Sequence, residues 1–290
     1  MIQLTVAVRQ MTAGVLGGLL LTGCQPSAPA DRAAPPPSSR QPSATPTVAA
    51  TGPGLTPRQR LMALADTTAA VPADATTDLP YTYLHTQTWA RASTVIARFD
   101  QRQWRAADGS GREITRRLPD LPGVDRQPQS TDRQLFTHAA EKLTRHPTGE
   151  LRPYLANPPT DPVALTAALM TGVPIGHPVY PRVLASSIVG LSKSQYLTRE
   201  QRTATLRALA GIPGIAYQGK TTDLAGRAGL AFTVTAGGST STLVVDPHTG
   251  ELLAAQEQFT NHRPGLFSYV LILERGHTEV APSTAGNASR

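Results

Sequence analysis

Ser239-Thr-Ser-Thr-Leu-Val-Val-Asp-Pro-His-Thr-Gly-Glu-Leu-Leu-Ala-Ala-Gln-Glu-Gln-Phe-Thr260 reads as two strands joined by a built turn. Ser239–Asp246 and Leu252–Thr260 carry the strand residues, and Asp246-Pro247-His248-Thr249-Gly250 reverses the chain. Pro247 sets a turn-compatible φ, and Gly250 can take the left-handed geometry that brings the backbone back. Working upstream, Gly237-Gly238 makes a second turn to Ala228–Thr235, and Ile215–Thr221 precedes that. Downstream, Phe267–Glu274 completes five candidate strands. Strands this close in sequence, separated by turn residues, predict antiparallel neighbours.

The middle of the chain is helical in pattern. Thr198-Arg199-Glu200-Gln201 has the form of a capping box, and its helix runs to Ala210 before Gly211-Ile212-Pro213-Gly214 stops it. Pro178–Ser192 places Val183, Leu184, Ile188 and Leu191 on one side. Another helix follows Asn157–Pro162 and carries Leu165, Leu169 and Met170. Asp132–Thr144 spaces Leu135, Phe136, Ala139, Ala140 and Leu143 as a further helix. Near the start, Thr56-Pro57 opens a helix to about Ala70, with threonine at the cap and proline in the first turn.

Between the first helix and the middle lie more strands. Tyr81–Ala90 alternates, with Tyr81, Tyr83, His85, Gln87 and Trp89 on one face. Val95–Ala107 and Arg112–Leu118 form a hairpin around Asp108-Gly109-Ser110-Gly111, which supplies positive-φ residues. The order of helix, strands, helices, strands predicts an α+β domain: an antiparallel sheet with helices packed on one face. Alternating βαβ units, the sign of a doubly wound nucleotide-binding fold, are missing.

The N-terminal segment speaks to location. Met11–Leu21 is an apolar run of about 11 residues, short of the roughly 20 that span a bilayer but of the length of a signal-peptide core. It ends in Leu21-Thr22-Gly23-Cys24, which resembles the lipobox of bacterial lipoproteins and holds the single cysteine of the chain. The resemblance implies cleavage before Cys24, lipidation of its sulfur and attachment to the outer face of the cell membrane. Residues 1–23 are thus expected to be a signal peptide. Residues 24–55, rich in Pro, Ala, Ser and Thr, are expected to be a disordered tether. Residues 56–277 are expected to form one α+β domain, and 278–290 a disordered tail. That leaves about 235 residues, enough for a sizeable core. With one cysteine, no disulfide within the chain can staple it.

Composition narrows the partners. The net charge of +7 suits anionic envelope components such as lipid headgroups or acidic wall polymers. Nucleic acid is not an expected partner, because the arginines are spread along an exported chain rather than gathered in a stripe.

Catalytic and metal motifs are sparse. The seven histidines include no pair at the His-x-x-x-His spacing of a helical metal site, so no metal ligands and no cofactor are assigned. There is no Gly-x-Ser-x-Gly elbow, and Ser192-Lys193-Ser194 lacks Ser-x-x-Lys spacing. Asp and Glu total 20 and mostly fall in turns, caps or exposed strands, so no catalytic residue is named. Tyr81, Tyr83, Trp89 and Trp104 are the candidates for lining a ligand cleft, with core contacts between sheet and helices as the competing reading.

Four stretches carry a family resemblance: Tyr81–Trp89, Trp104–Gly111, Leu206–Gly214 and Leu243–Leu252. Together they resemble an uncharacterised family of actinobacterial exported proteins. More remotely, the layout is similar to the lipoprotein-carrier and sigma-factor-regulator folds (LolA-like and RseB-like). That similarity implies a curved antiparallel sheet, an open half-barrel, wrapped around helices with an apolar cleft between them. It also implies a binding or sensing role without catalysis, toward a lipid, a peptide or an envelope protein. The alternative is a hydrolase or transferase acting on envelope polymers through a carboxylate pair that no motif reveals.

Overall fold

Among the described residues the strands assemble into one nine-stranded antiparallel sheet, curved and unclosed. The computed structural model describes residues 54–72, 74, 78–261 and 263–283. The signal segment, Cys24, nearly all of the tether and the end of the tail lie outside the described residues. Two meanders make the sheet. The first is β1 (Tyr81–Ala92), β2 (Val95–Ala106), β3 (Gly111–Pro122) and β4 (Glu141–His146). The second is β5 (Ala216–Thr222), β6 (Ala228–Ala236), β7 (Ser239–Val245), β8 (Leu252–Phe259) and β9 (Gly265–Thr278). They join where β1 lies antiparallel to β9, with Thr88 opposite Val270 and Trp89 opposite Tyr269.

The turn at 246–250 is built as its residues require. Asp246 Oδ1 accepts the His248 and Thr249 amides, and the Gly250 amide donates to the Asp246 carbonyl. Gly250 sits at φ +69°. A Cβ there would lie 2.3 Å from Thr68 Oγ1 and 2.9 Å from Leu206 Cδ1, so the turn presses its backbone into the helices. In the β2–β3 hairpin Gly109 takes φ +75°, and the Ser110 amide donates to Asp108 Oδ1.

Helices α1 (Pro57–Ala70), α4 (Tyr180–Ser194) and α5 (Arg199–Ala210) pack on one face of β6–β9. Both α1 and α5 start in full capping boxes, Thr56 with Gln59 and Thr198 with Gln201. Their apolar stripes bury Leu61, Leu64, Leu184, Ile188, Leu206 and Leu209 against Leu230, Phe232, Leu243, Val270 and Ile272. Helix α3 (Pro162–Leu169) begins at the Asp161 cap and buries Leu165 against Leu191, Leu197 and Ala204. The layer between helices and sheet is filled with side chains, as a well-packed interior requires.

The sequence pattern and the structure part at residues 132–146. The expected helix over Asp132–Thr144 is instead α2 (Ser130–Leu135), a 3-10 turn at Phe136–His138 and the edge strand β4. Pairing with β3 overrides the helical spacing, because Leu143 gains Ile114 as its cross-strand neighbour and packs into the cluster with Trp104. Helix α2 also lies on the sheet face opposite α1, α4 and α5, where Phe136 covers Trp89. At the C-terminal end β9 continues through Thr278, and Ala281 is buried beside Trp104 and Ile114. Ordered packing thus extends beyond residue 277. Among the described residues no helix is long and apolar enough to cross a membrane.

Candidate functional site

Beyond α4 the helix-bearing face continues across β1 and β2, where Leu84 and Thr86 are buried and Arg152 and Ser194 stand at the rim, and two adjoining concavities that share Lys193 form a groove there. Its covered end, about 160 Å³, lies between α4 (Ser186, Val189, Gly190) and the sheet (Leu243, Ala255, Val270). Its open end, about 210 Å³, has Leu84, Thr86, Thr88, Gln101 and Gln103 on its floor. Lys193 lines both.

Helix α4 explains why Lys193 stands there. Its apolar stripe faces β6–β9, and that orientation leaves Ser186, Val189, Gly190 and Lys193 along the margin. Lys193 occupies the last turn, where the negative end of the helix dipole favours a cation. Its side chain is solvent-accessible yet sits in a concavity, and that surrounding burial pulls its pKa below the ordinary lysine value. No carboxylate pairs with it among the described residues.

Polar groups on the floor are arranged in register. Gln101 Nε2 donates to Glu113 Oε2 at 2.7 Å, and Thr115 Oγ1 donates to Glu113 Oε1 at 2.9 Å. At the margin Arg105 donates to the Ser194 carbonyl at 3.3 Å. In the covered end Glu257 accepts from Arg182 Nε at 2.7 Å. Each of these acids is already engaged, and Glu257 is the one carboxylate among the residues lining either end.

The four aromatic candidates face the other way. Tyr81 and Tyr83 pack with Trp104 around Ile114, and the Tyr83 and Trp104 rings are 5.0 Å apart. Burial, then the Glu274 carboxylate, pushes the Tyr83 phenol pKa up. Trp89 is fully buried in a separate cluster, edge-on to Phe136 at 5.8 Å and to Tyr269 at 5.6 Å. The structure therefore unites Tyr81, Tyr83 and Trp104 but not Trp89, and none of the four lines the groove.

Between those aromatic clusters lies a buried polar network. His85 Nε2 is 2.8 Å from Asp100 Oδ2, and Gln87 donates to the same oxygen at 2.8 Å. Burial alone would raise the Asp100 pKa, but the hydrogen bonds from His85 and Gln87 and the charge of Arg102 bring it below the ordinary value. Arg133 Nε then donates to Gln87 Oε1 at 3.2 Å. The network ties α2 to the sheet through Arg133. Among the described residues no group of three His, Cys, Asp or Glu is placed to hold a metal ion.

Sequence reasoning missed Lys193 and the polar floor. The signal for Lys193 was present as a cation in the last turn of an amphipathic helix. What faced it depended on β1 joining β9, a pairing between the two ends of the domain.

No protein-family model matches the chain, and no curated protein matches it. Among solved structures it is similar to MucB in complex with MucA(peri), at 16% identity over 79% of this chain and 59% of that chain, with a TM-score of 0.29. The MucA/MucB complex of Pseudomonas aeruginosa matches at 18% identity over 76% of this chain and 56% of that chain, TM-score 0.28. MucB alone matches at 13% identity over 77% and 60%, TM-score 0.28. The chain thus spans less than two thirds of those MucB chains.

Proposed function

We propose that this chain is a non-enzymatic binding module whose groove, along α4 and across the helix-bearing side of β1–β2, holds an extended segment of a partner protein. The observation that carries the reading is the groove's composition: a short apolar end, an unpaired ammonium and a floor of Thr and Gln side chains. Small-molecule sites usually enclose about 300–1,000 Å³ of largely apolar space. The apolar end here, about 160 Å³, is smaller, and the layer beside it is filled by core side chains. That disfavours a lipid tail in this groove. Amide and hydroxyl groups on a strand surface match the hydrogen-bonding groups of an extended peptide. Polymer hydrolysis would require two carboxyls across one cleft, whereas Glu257 is engaged by Arg182 and Glu113 is held on the β3 side of the floor by Gln101 and Thr115.

The same proposal places the domain outside the cell, held at the membrane by lipid on Cys24 and spaced from it by the Pro-rich tether. Its support is the sequence of the first 55 residues. Selection of random peptides displayed on phage, followed by counter-screening on a Ser186→Trp variant, tests the groove. Ser186 is exposed in the covered end, so an indole there occupies the space without entering the core. Selected peptides should bind the parent chain and lose the variant. Equal binding to a folded Ser186→Trp chain refutes the site.

A further inference from the structure

The groove's charge narrows the chemistry of its partner, given the binding role just proposed for it. The helix-bearing side of β1–β4 and its margins carry Lys193, Arg105, Arg152 and Lys142. Lys142 lies opposite Thr115 in the β3–β4 register, and Thr115 shares its face with Glu113 and Gln101. Arg152 lines the open end beside Lys193, and its Nε donates to the Gly149 carbonyl. Arg105 donates to the Ser194 carbonyl, a neutral acceptor. No carboxylate is paired with any of these four cations among the described residues.

Four acids stand nearby, and two of them, Asp120 and Glu257, are paired with arginines. Glu113 accepts from Gln101 and Thr115, Glu150 lies 3.2 Å from His146, and Asp120 pairs with Arg117 at 3.0 Å. Glu257 is held by Arg182. Glu113 keeps its charge among neutral donors, but Lys193, Arg105, Arg152 and Lys142 outnumber it, so the face carries a net positive field, strongest where Lys193 stands in a concavity.

We propose that the groove takes an extended acidic polypeptide segment, with carboxylates set against Lys193 and the flanking arginines. A polypeptide fits better than a phosphate polymer or an anionic membrane for two reasons. The cations are spread along a floor of amide and hydroxyl groups, which pair with peptide backbone. Two of them, Lys193 and Arg152, also line a concavity, which admits a chain segment more readily than a flat bilayer.

Fluorescence anisotropy of labelled synthetic peptides on the full chain tests this. A peptide alternating Ser and Glu should bind about tenfold or more tighter than its Ser-Gln counterpart, and the difference should shrink as salt is raised from about 0.05 to about 0.5 M. Lys193→Gln should weaken the Ser-Glu peptide about three- to tenfold and leave the Ser-Gln peptide unchanged. Arg58→Gln, at an exposed position on α1, should change neither. Equal binding of both peptides, lost in Ser186→Trp, overturns the acidic preference and leaves the groove standing. Binding of neither peptide overturns both. Displacement of the Ser-Glu peptide by poly(glycerol phosphate), or by anionic phospholipid vesicles, more readily than by unlabelled peptide would assign the field to a phosphate ligand and overturn the polypeptide.

Discussion

Replacing Gly250 with alanine should cost this domain more than replacing any open loop glycine. The residue holds φ +69° at the end of the 246–250 turn. An L-residue in the left-handed region costs about 1–2 kcal/mol. The added Cβ would also meet Thr68 Oγ1 at 2.3 Å, Leu206 Cδ1 at 2.9 Å and Thr68 Cγ2 at 3.0 Å. None of these atoms can swing into solvent. Thr68 is fully buried and donates to the Leu64 carbonyl at 2.9 Å, and Leu206 is part of the main core. Relief therefore requires α1 or α5 to shift, at the roughly 1–3 kcal/mol typical of overpacking. The two contributions together give about 2–5 kcal/mol. For a domain of this size each kcal/mol lowers Tm by about 2–4 °C. Urea unfolding followed by circular dichroism measures the loss directly. Gly226→Ala is the control: its φ is +78°, and nothing lies within 4 Å of its Cβ position, so it should lose only the backbone contribution. If Gly250→Ala loses no more than Gly226→Ala, the turn does not press on the helices as described.

Trp89→Ala should destabilise by about 3–5 kcal/mol, read by the same unfolding assay, because it empties the fully buried contact among Phe136, Tyr269 and the sheet. Asp100 has a folded pKa below its unfolded value, so its contribution to stability is present above the unfolded pKa and is lost as pH falls through the folded one. Stability measured from neutral pH downward should therefore fall less steeply in Asp100→Asn than in the parent, and parallel acid limbs would contradict the ion-paired network. Cys24→Ala should yield a chain that carries no lipid and is not retained at the membrane by that route. Mass spectrometry showing the same acylation in the variant would remove the proposed anchor.

The sheet was readable because its signals are local. Asp246–Gly250 and Asp108–Gly111 specify turns by residue type, and Thr56 and Thr198 mark helix starts with their own capping boxes. Strand boundaries from Ala228 to Phe259 follow from those turns. The edge strand β4 was not readable, because Leu143, its one apolar residue, continues the helical spacing of Leu135, Phe136 and Ala139, and only the neighbouring β3 makes it part of a strand. The groove was legible least of all. Its floor comes from β1 and β2, its wall from α4, and its covered end from β7–β9, so its existence depends on the β1–β9 pairing between segments far apart in sequence. Tyr81, Tyr83 and Trp89 follow a period-two pattern that assigns them to one face, but alternation alone does not say which face meets α4.

Chemical-shift mapping of the isotopically labelled domain with the acidic peptide tests the central claim most directly. Perturbations should concentrate on Ser186, Val189, Gly190, Lys193, Thr86, Thr88, Gln101 and Gln103. Shifts gathered instead around Gln127, Leu224 and Tyr269, on the opposite face of the sheet, would place the binding surface elsewhere and contradict the account.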